Sequence, residues 1–218
     1  TRGRAPCGLA GGVAYTGVPE GDHSARVGRL GFASAWVLDP VDGTRAFIAG
    51  LPLWGTLIGL TFEGRPILGV LDQAYLGERF TGYHGGPATL TDRTGQTRPL
   101  RVRPLERLTD AVLATTDPAI FTPAEAGGFE HIRATARLTR YGCDCYAYGM
   151  LALGAIDMVI EAGLKPHDIE ALIAIIEAAG GVVTDWRGGP AWQGGQIIAA
   201  GDPRPHAVAL VSLRRSAA

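Results

Sequence analysis

Trp36-Val37-Leu38-Asp39-Pro40-Val41-Asp42-Gly43-Thr44 runs an apolar strand into a turn that carries two carboxylates three residues apart. Acids held that close raise each other's pKa, and removal from water adds to the penalty. A divalent cation reverses the balance, because hard cations take oxygen ligands. Pro40 fixes its own φ and pushes Asp39 into an extended conformation, so both side chains converge from a rigid turn. Gly43 lets backbone approach a ligand, and Thr44 opens a short helix whose first amides point at anions. Read alone, the pair of aspartates is more often an Asx-rich turn with a helix cap.

A second segment changes that balance. Glu161-Ala162-Gly163-Leu164-Lys165-Pro166-His167-Asp168 brings one acid on a strand and another at the start of a helix. Asp168 alone reads as an ordinary helix cap. With Asp39 and Asp42, however, it makes three carboxylates on strand-to-helix turns, which share one edge of an α/β sheet, where sites form.

Working outward, residues 35–38, 53–62, 66–71, 78–83 and 100–103 read as strands, with Glu63-Gly64 as a hairpin turn and a polar Gly/Thr loop after residue 83. The second half alternates: strands at 111–115, 138–141, 157–161, 182–186 and 196–200, and helices at 123–136, 145–153, 169–179 and 203–213. Asp168 opens the third of these helices and Gly180-Gly181 stops it. Alternation of this kind means layered α/β architecture. Residues 1–34 show no helical or strand period and read as an irregular segment preceding one domain over 35–218, with an approximate break near residue 110 between two tightly joined halves.

Of the 218 residues 46% are hydrophobic, enough for a well-filled core. No apolar run approaches the roughly 18 residues of a membrane helix, so a soluble chain is expected. Twenty basic residues stand against 21 acidic ones, spread along the chain, with no clustered basic face for nucleic acid. The three cysteines, Cys7, Cys143 and Cys145, fit a reducing compartment better than a disulfide framework. Cys143-Asp144-Cys145 lacks a second Cys/His pair at zinc spacing.

The two segments together resemble the signatures of the inositol-monophosphatase superfamily. The stretch around Asp39 and Asp42 is similar to its first. Lys165-Pro166-His167-Asp168, followed by Ala179-Gly180-Gly181-Val182-Val183-Thr184-Asp185-Trp186, is similar to its second. Thr44-Arg45-Ala46-Phe47, Thr115-Thr116-Asp117-Pro118 and Cys143-Asp144-Cys145-Tyr146-Ala147-Tyr148 resemble its bacterial histidinol-phosphatase branch.

The resemblance implies an αβαβα sandwich of the sugar-phosphatase type, although the N-terminal helix pair of that fold is not visible. It implies two or three Mg2+ ions, with Asp39 bridging two, Asp42 and Asp168 completing the second, and the Val41 carbonyl helping to hold the first. Thr44 would orient a metal-activated water for in-line attack on phosphorus, and the Gly43 and Thr44 amides would hold phosphate oxygens. Glu161 and Asp144 sit where the family contacts the alcohol, although they read equally as a solvated strand end and a helix cap, and Arg45 is a further candidate contact or simply a surface charge. The family's Gly-Glu-Glu motif is absent; Glu20 lies at about the right distance before Asp39 to replace its metal-ligating, water-activating acid, and Asp22 is a weaker substitute. His167 stands where Trp or Tyr is expected and reads as packing.

The expected function is cytoplasmic hydrolysis of L-histidinol phosphate in histidine biosynthesis, by a homodimer. Two rivals stay open: another sugar, inositol or nucleotide phosphate as substrate, or a catalytically impaired domain that binds phosphorylated ligands.

Overall fold

A computed structural model describes residues 25–30 and 34–217. Strands β1 (Ala25–Leu30), β2 (Ser34–Asp42), β3 (Gly55–Phe62), β4 (Arg65–Gln73), β5 (Glu78–Tyr83), β6 (Ala88–Thr91) and β7 (Thr97–Pro99) form one antiparallel sheet in chain order. The second sheet has the order β11-β12-β10-β8-β9, built from β8 (Val112–Thr115), β9 (Leu138–Tyr141), β10 (Met158–Leu164), β11 (Val182–Asp185) and β12 (Gly195–Ala200). Here β10 and β9 run parallel to β8, while β12 is antiparallel to both of its neighbours. The helices are α1 (Thr44–Ile48), α2 (Pro123–Thr135), α3 (Asp144–Ala152), α4 (Pro166–Ala178) and α5 (Pro203–Leu213).

Side chains alternate along each strand, so β8, β10 and β12 feed two cores. Val112, Ala114, Val159, Ile197 and Ala199 pack with α3, α4 and the first sheet. Leu113, Met158, Ile160, Ile198 and Ala200 pack with Phe129, Ile132, Ala209 and Leu213 of α2 and α5. The layers are therefore sheet, helices, sheet, helices: a layered α/β sandwich.

Helix α4 is the hinge pin of this arrangement. Pro166 opens it, where the missing N–H costs nothing. Every residue of its middle, 169–176, is buried, as a helix between two sheets requires. Gly180, at φ +94°, turns the chain out of it, and the Gly181 amide donates to the Ile176 carbonyl. Under α4 the first sheet presents a row of neighbours, Val37, Gly59, Gly69, Gly82 and Ala88, set side by side by the strand registers. A Cβ on Gly69 would lie 1.8 Å from the Ala171 carbonyl oxygen, and one on Gly82 would lie 2.6 Å from the Ile175 Cα. Glycine inside a strand weakens it by roughly 0.5–1 kcal/mol relative to alanine, and here it lets helix backbone rest on sheet backbone.

Several expectations need correction. Residues 25–30, read as irregular, form β1; pairing with β2 supplies what local periodicity lacks. Residues 100–103, read as strand, lie past the end of β7, with only the Leu100 amide reaching β6 at the Ala88 carbonyl, and the polar loop before them makes the β6–β7 hairpin instead. Asp92 closes that hairpin by accepting from the amides of Thr94 and Gln96. Helix α4 begins three residues before the expected start, so Asp168 occupies its third position rather than the cap. Among the described residues no helix is long and apolar enough to cross a membrane.

Candidate active site

Asp39 and Val37 lie two residues apart on β2, so both face α4. Asp168 lies one turn before Ala171, the residue seated over Gly59 and Gly69. The glycine row thus brings α4 down where Asp168 meets Asp39. The Val41 amide donates to Asp39 Oδ1 at 3.1 Å, and the Lys165 amide donates to Asp168 Oδ2 at 2.7 Å, so both carboxylates are oriented by backbone. Asp42 follows where β2 bulges against β3. Its Oδ1 accepts the Cys145 amide at 2.9 Å, tying the first acidic turn to the start of α3.

Electrostatics point the same way. Burial raises the Asp39 carboxyl above its ordinary range, with Asp168 adding to the rise against the Val41 amide. Burial pushes Asp42 up to about 7, and the charges of Asp39 and Asp168 contribute. Three crowded acids, of which Asp39 and Asp42 resist ionisation without a counter-charge, all with hard oxygen donors, fit a divalent cation. One donor atom each from Asp39, His167 and Asp168 lies within 4.8 Å of the others.

The turn after Asp42 is tight. Gly43 sits at φ +81°, ψ +38°, and a Cβ there would come within 3.2 Å of Leu53, Trp54 and Asp144. The Thr44 hydroxyl donates to the Val41 carbonyl at 3.0 Å. Arg45 points outward and pairs with Asp117 at 3.2 Å, linking α1 to the loop after β8 at the mouth of the site.

Beyond the aspartates opens a cavity of about 260 Å³ lined by Asp42, Gly43, Arg45, Thr116, Asp144, Tyr148, Glu161 and Asp168. Asp144 is not a cap but the first residue of α3, and it holds a left-handed φ of +44°, a costly conformation for a residue with a Cβ. Burial raises its carboxyl, opposed by Arg45. Glu161, whose alternative reading was a solvated strand end, is 2% exposed. Its Oε1 accepts the Thr116 amide at 2.6 Å, and burial pushes its carboxyl up to about 8. The cavity is thus lined both by members of the aspartate cluster, Asp42 and Asp168, and by two further desolvated acids, Asp144 and Glu161.

Asp39, Val41, Asp42, Gly43, Thr44, Asp144, Glu161 and Asp168 come together as one site, with Arg45 at its rim. Glu20 and Asp22 lie outside the described residues. The sequence reading missed three members. His167, expected as packing, sets its Nε2 3.3 Å from Asp168 Oδ1; adjacency to Asp168 was the available signal. Tyr148 is 3% exposed, and its hydroxyl finds no hydrogen-bond partner among the described residues. Its place four residues after Asp144 on one helix face was legible. Thr116 contributes a backbone amide, which no side-chain pattern announces.

The profile of the inositol monophosphatase family matches residues 20–217. The chain is 43% identical over 187 residues to the chloroplastic bifunctional phosphatase IMPL2 of Arabidopsis thaliana, covering 82% of this chain and 53% of that protein. It is 33% identical over 153 residues to the histidinol-phosphatase of Chlorobaculum parvum, covering 70% of this chain and 58% of that protein. It therefore spans little more than half the length of these two relatives. Among solved structures, an inositol monophosphatase from Zymomonas mobilis superposes with a TM-score of 0.79 at 41% identity, over 85% of this chain and 72% of that one.

Proposed function

Because this chain belongs to the inositol monophosphatase family, we propose that it is a divalent-metal-dependent phosphomonoesterase that hydrolyses L-histidinol phosphate. The observation that carries the reading is one cavity lined by Asp42 and Asp168 together with Asp144 and Glu161, with Asp39 clustered beside Asp168. When bound, a divalent cation such as Mg2+ neutralises charge on phosphate and leaving alkoxide and lowers the pKa of a water. Asp39, Asp42, Asp168 and the Val41 carbonyl would hold the ions. Thr44, its hydroxyl fixed on the Val41 carbonyl, would orient the attacking water. The amides of Gly43 and Thr44 would receive phosphate oxygens, with Arg45 at the rim. Glu20 is proposed as the remaining metal-ligating acid, so Glu20→Gln should lower turnover by orders of magnitude with little change in thermal stability.

Glu161 and Asp144 support histidinol phosphate over a neutral polyol phosphate. An ammonium beside the phosphoester would face two acids whose burial leaves them short of counter-charge, and charge-assisted hydrogen bonds there are worth about 1.5–3 kcal/mol each. A place in histidine biosynthesis, a cytoplasmic location and a homodimer follow from the same resemblance.

Phosphate release from histidinol phosphate, inositol 1-phosphate and nucleotide monophosphates, with Mg2+ present, tests the reading. Histidinol phosphate should give the highest kcat/KM. A preference for inositol phosphate would move the assignment within the family, and no turnover of any ester would favour a ligand-binding domain.

A further inference from the structure

His167 has no role in the reading above, yet its ring stands among the carboxylates. It is the second residue of α4, fixed between Pro166 and Asp168, and its side chain is 19% exposed. Its Nε2 lies 3.3 Å from Asp168 Oδ1, and that nitrogen falls with one oxygen each of Asp39 and Asp168 inside a span of 4.8 Å. Three donor atoms inside that span could hold one ion. We propose that His167 supplies a nitrogen ligand to the divalent ion held by Asp39 and Asp168, so that this chain prefers a transition-metal ion such as Co2+ or Mn2+ to Mg2+.

The inference rests on the reading of Asp39 and Asp168 as metal ligands and adds to it the identity of the ion. Mg2+ takes oxygen donors and gives up its waters reluctantly. An imidazole nitrogen adds little to such an ion, whereas it suits the later first-row metals, whose affinity for mixed nitrogen and oxygen sites rises along the series from Mn2+ through Co2+. An aromatic residue at position 167 would leave the same turn with oxygen donors alone. The competing arrangement is an imidazole that only hydrogen-bonds Asp168 and stays off the ion.

Pulsed electron paramagnetic resonance on the 218-residue chain loaded with Mn2+ separates the two, because a directly bound imidazole imprints a nitrogen coupling on the ion. The expected result is such a coupling in the wild type and its loss in His167→Phe. In parallel, calorimetric titration should show Co2+ binding weakened roughly tenfold or more by His167→Phe, with Mg2+ binding changed far less. His167→Tyr, closer to the aromatic expected at this position, should reproduce both effects. Absence of nitrogen coupling in the wild type, its persistence in His167→Phe, or equal losses for Co2+ and Mg2+ would each overturn the proposal. Oxygen-only ligation in an active phosphatase would remove the role of His167 and leave the proposed function standing. Failure of the chain to bind any divalent ion would remove both.

Discussion

Gly69 lies so close beneath Ala171 that the sheet and helix α4 meet backbone to backbone. The contact is structural, yet it sets the site, because Asp168 is one turn away from Ala171 and Asp39 is two residues along β2 from Val37, in the same row as Gly69. Gly69→Ala forces a methyl against the Ala171 carbonyl, which no side-chain rotation relieves. Overpacking of this kind costs about 1–3 kcal/mol and sometimes more. Denaturant unfolding should show at least that loss, and the surviving folded fraction should bind divalent metal more weakly as Asp168 is lifted from Asp39.

Glu161 makes stability depend on pH in a defined direction. Its carboxyl is held near 8 when folded, against an ordinary value of 4.5. The folded protein therefore binds the proton more tightly than the unfolded chain does. The contribution is fully present below about 4.5 and is lost as pH rises to about 8, at a limiting slope of about 1.4 kcal/mol per pH unit. Glu161→Gln keeps an oxygen to accept the Thr116 amide and removes the titration. Urea unfolding of the metal-free protein should find variant and wild type alike near pH 4 and the variant more stable at pH 8–9. Parallel pH profiles would show that Glu161 ionises at little cost in the folded state.

Substrate choice is testable at Glu161 and Asp144. Glu161→Gln combined with Asp144→Asn should raise KM for histidinol phosphate by roughly tenfold or more, since each lost charge-assisted bond is worth about 1.5–3 kcal/mol. Hydrolysis of a neutral-alcohol phosphate should fall much less, because the Asp39, Asp42 and Asp168 cluster and the Gly43-Thr44 turn remain. Equal losses on both esters would mean that the two acids support the site generally.

What was legible in the sequence was local. The acidic turn after β2, the strand-borne Glu161 and the Pro-opened α4 all announce themselves through short-range chemistry, and β5, β9 and α5 fall on the expected residues. What was not legible depended on partners distant in sequence. Strand β1 is defined by its pairing with β2. Glu161 looked like an exposed strand end until the Thr116 amide and the neighbouring layers enclosed it. The left-handed Asp144 sits against Gly43, about a hundred residues earlier. The role of His167 turns on where α4 lands, which the glycine row decides.

The most direct measurement is phosphate release from histidinol phosphate by the 218-residue chain, stripped of metal and then resupplied with Mg2+ or Mn2+, for wild type and Asp39→Asn. The substitution keeps an oxygen for the Val41 amide and removes the charge whose burial, with Asp168 nearby, raises Asp39, so the fold should be at least as stable. Turnover should vanish without metal, return when it is added to the wild type, and stay several orders of magnitude lower in Asp39→Asn. Turnover that survives metal removal, or a substantial fraction of wild-type rate in folded Asp39→Asn, would contradict the assignment of this carboxylate cluster as the metal centre.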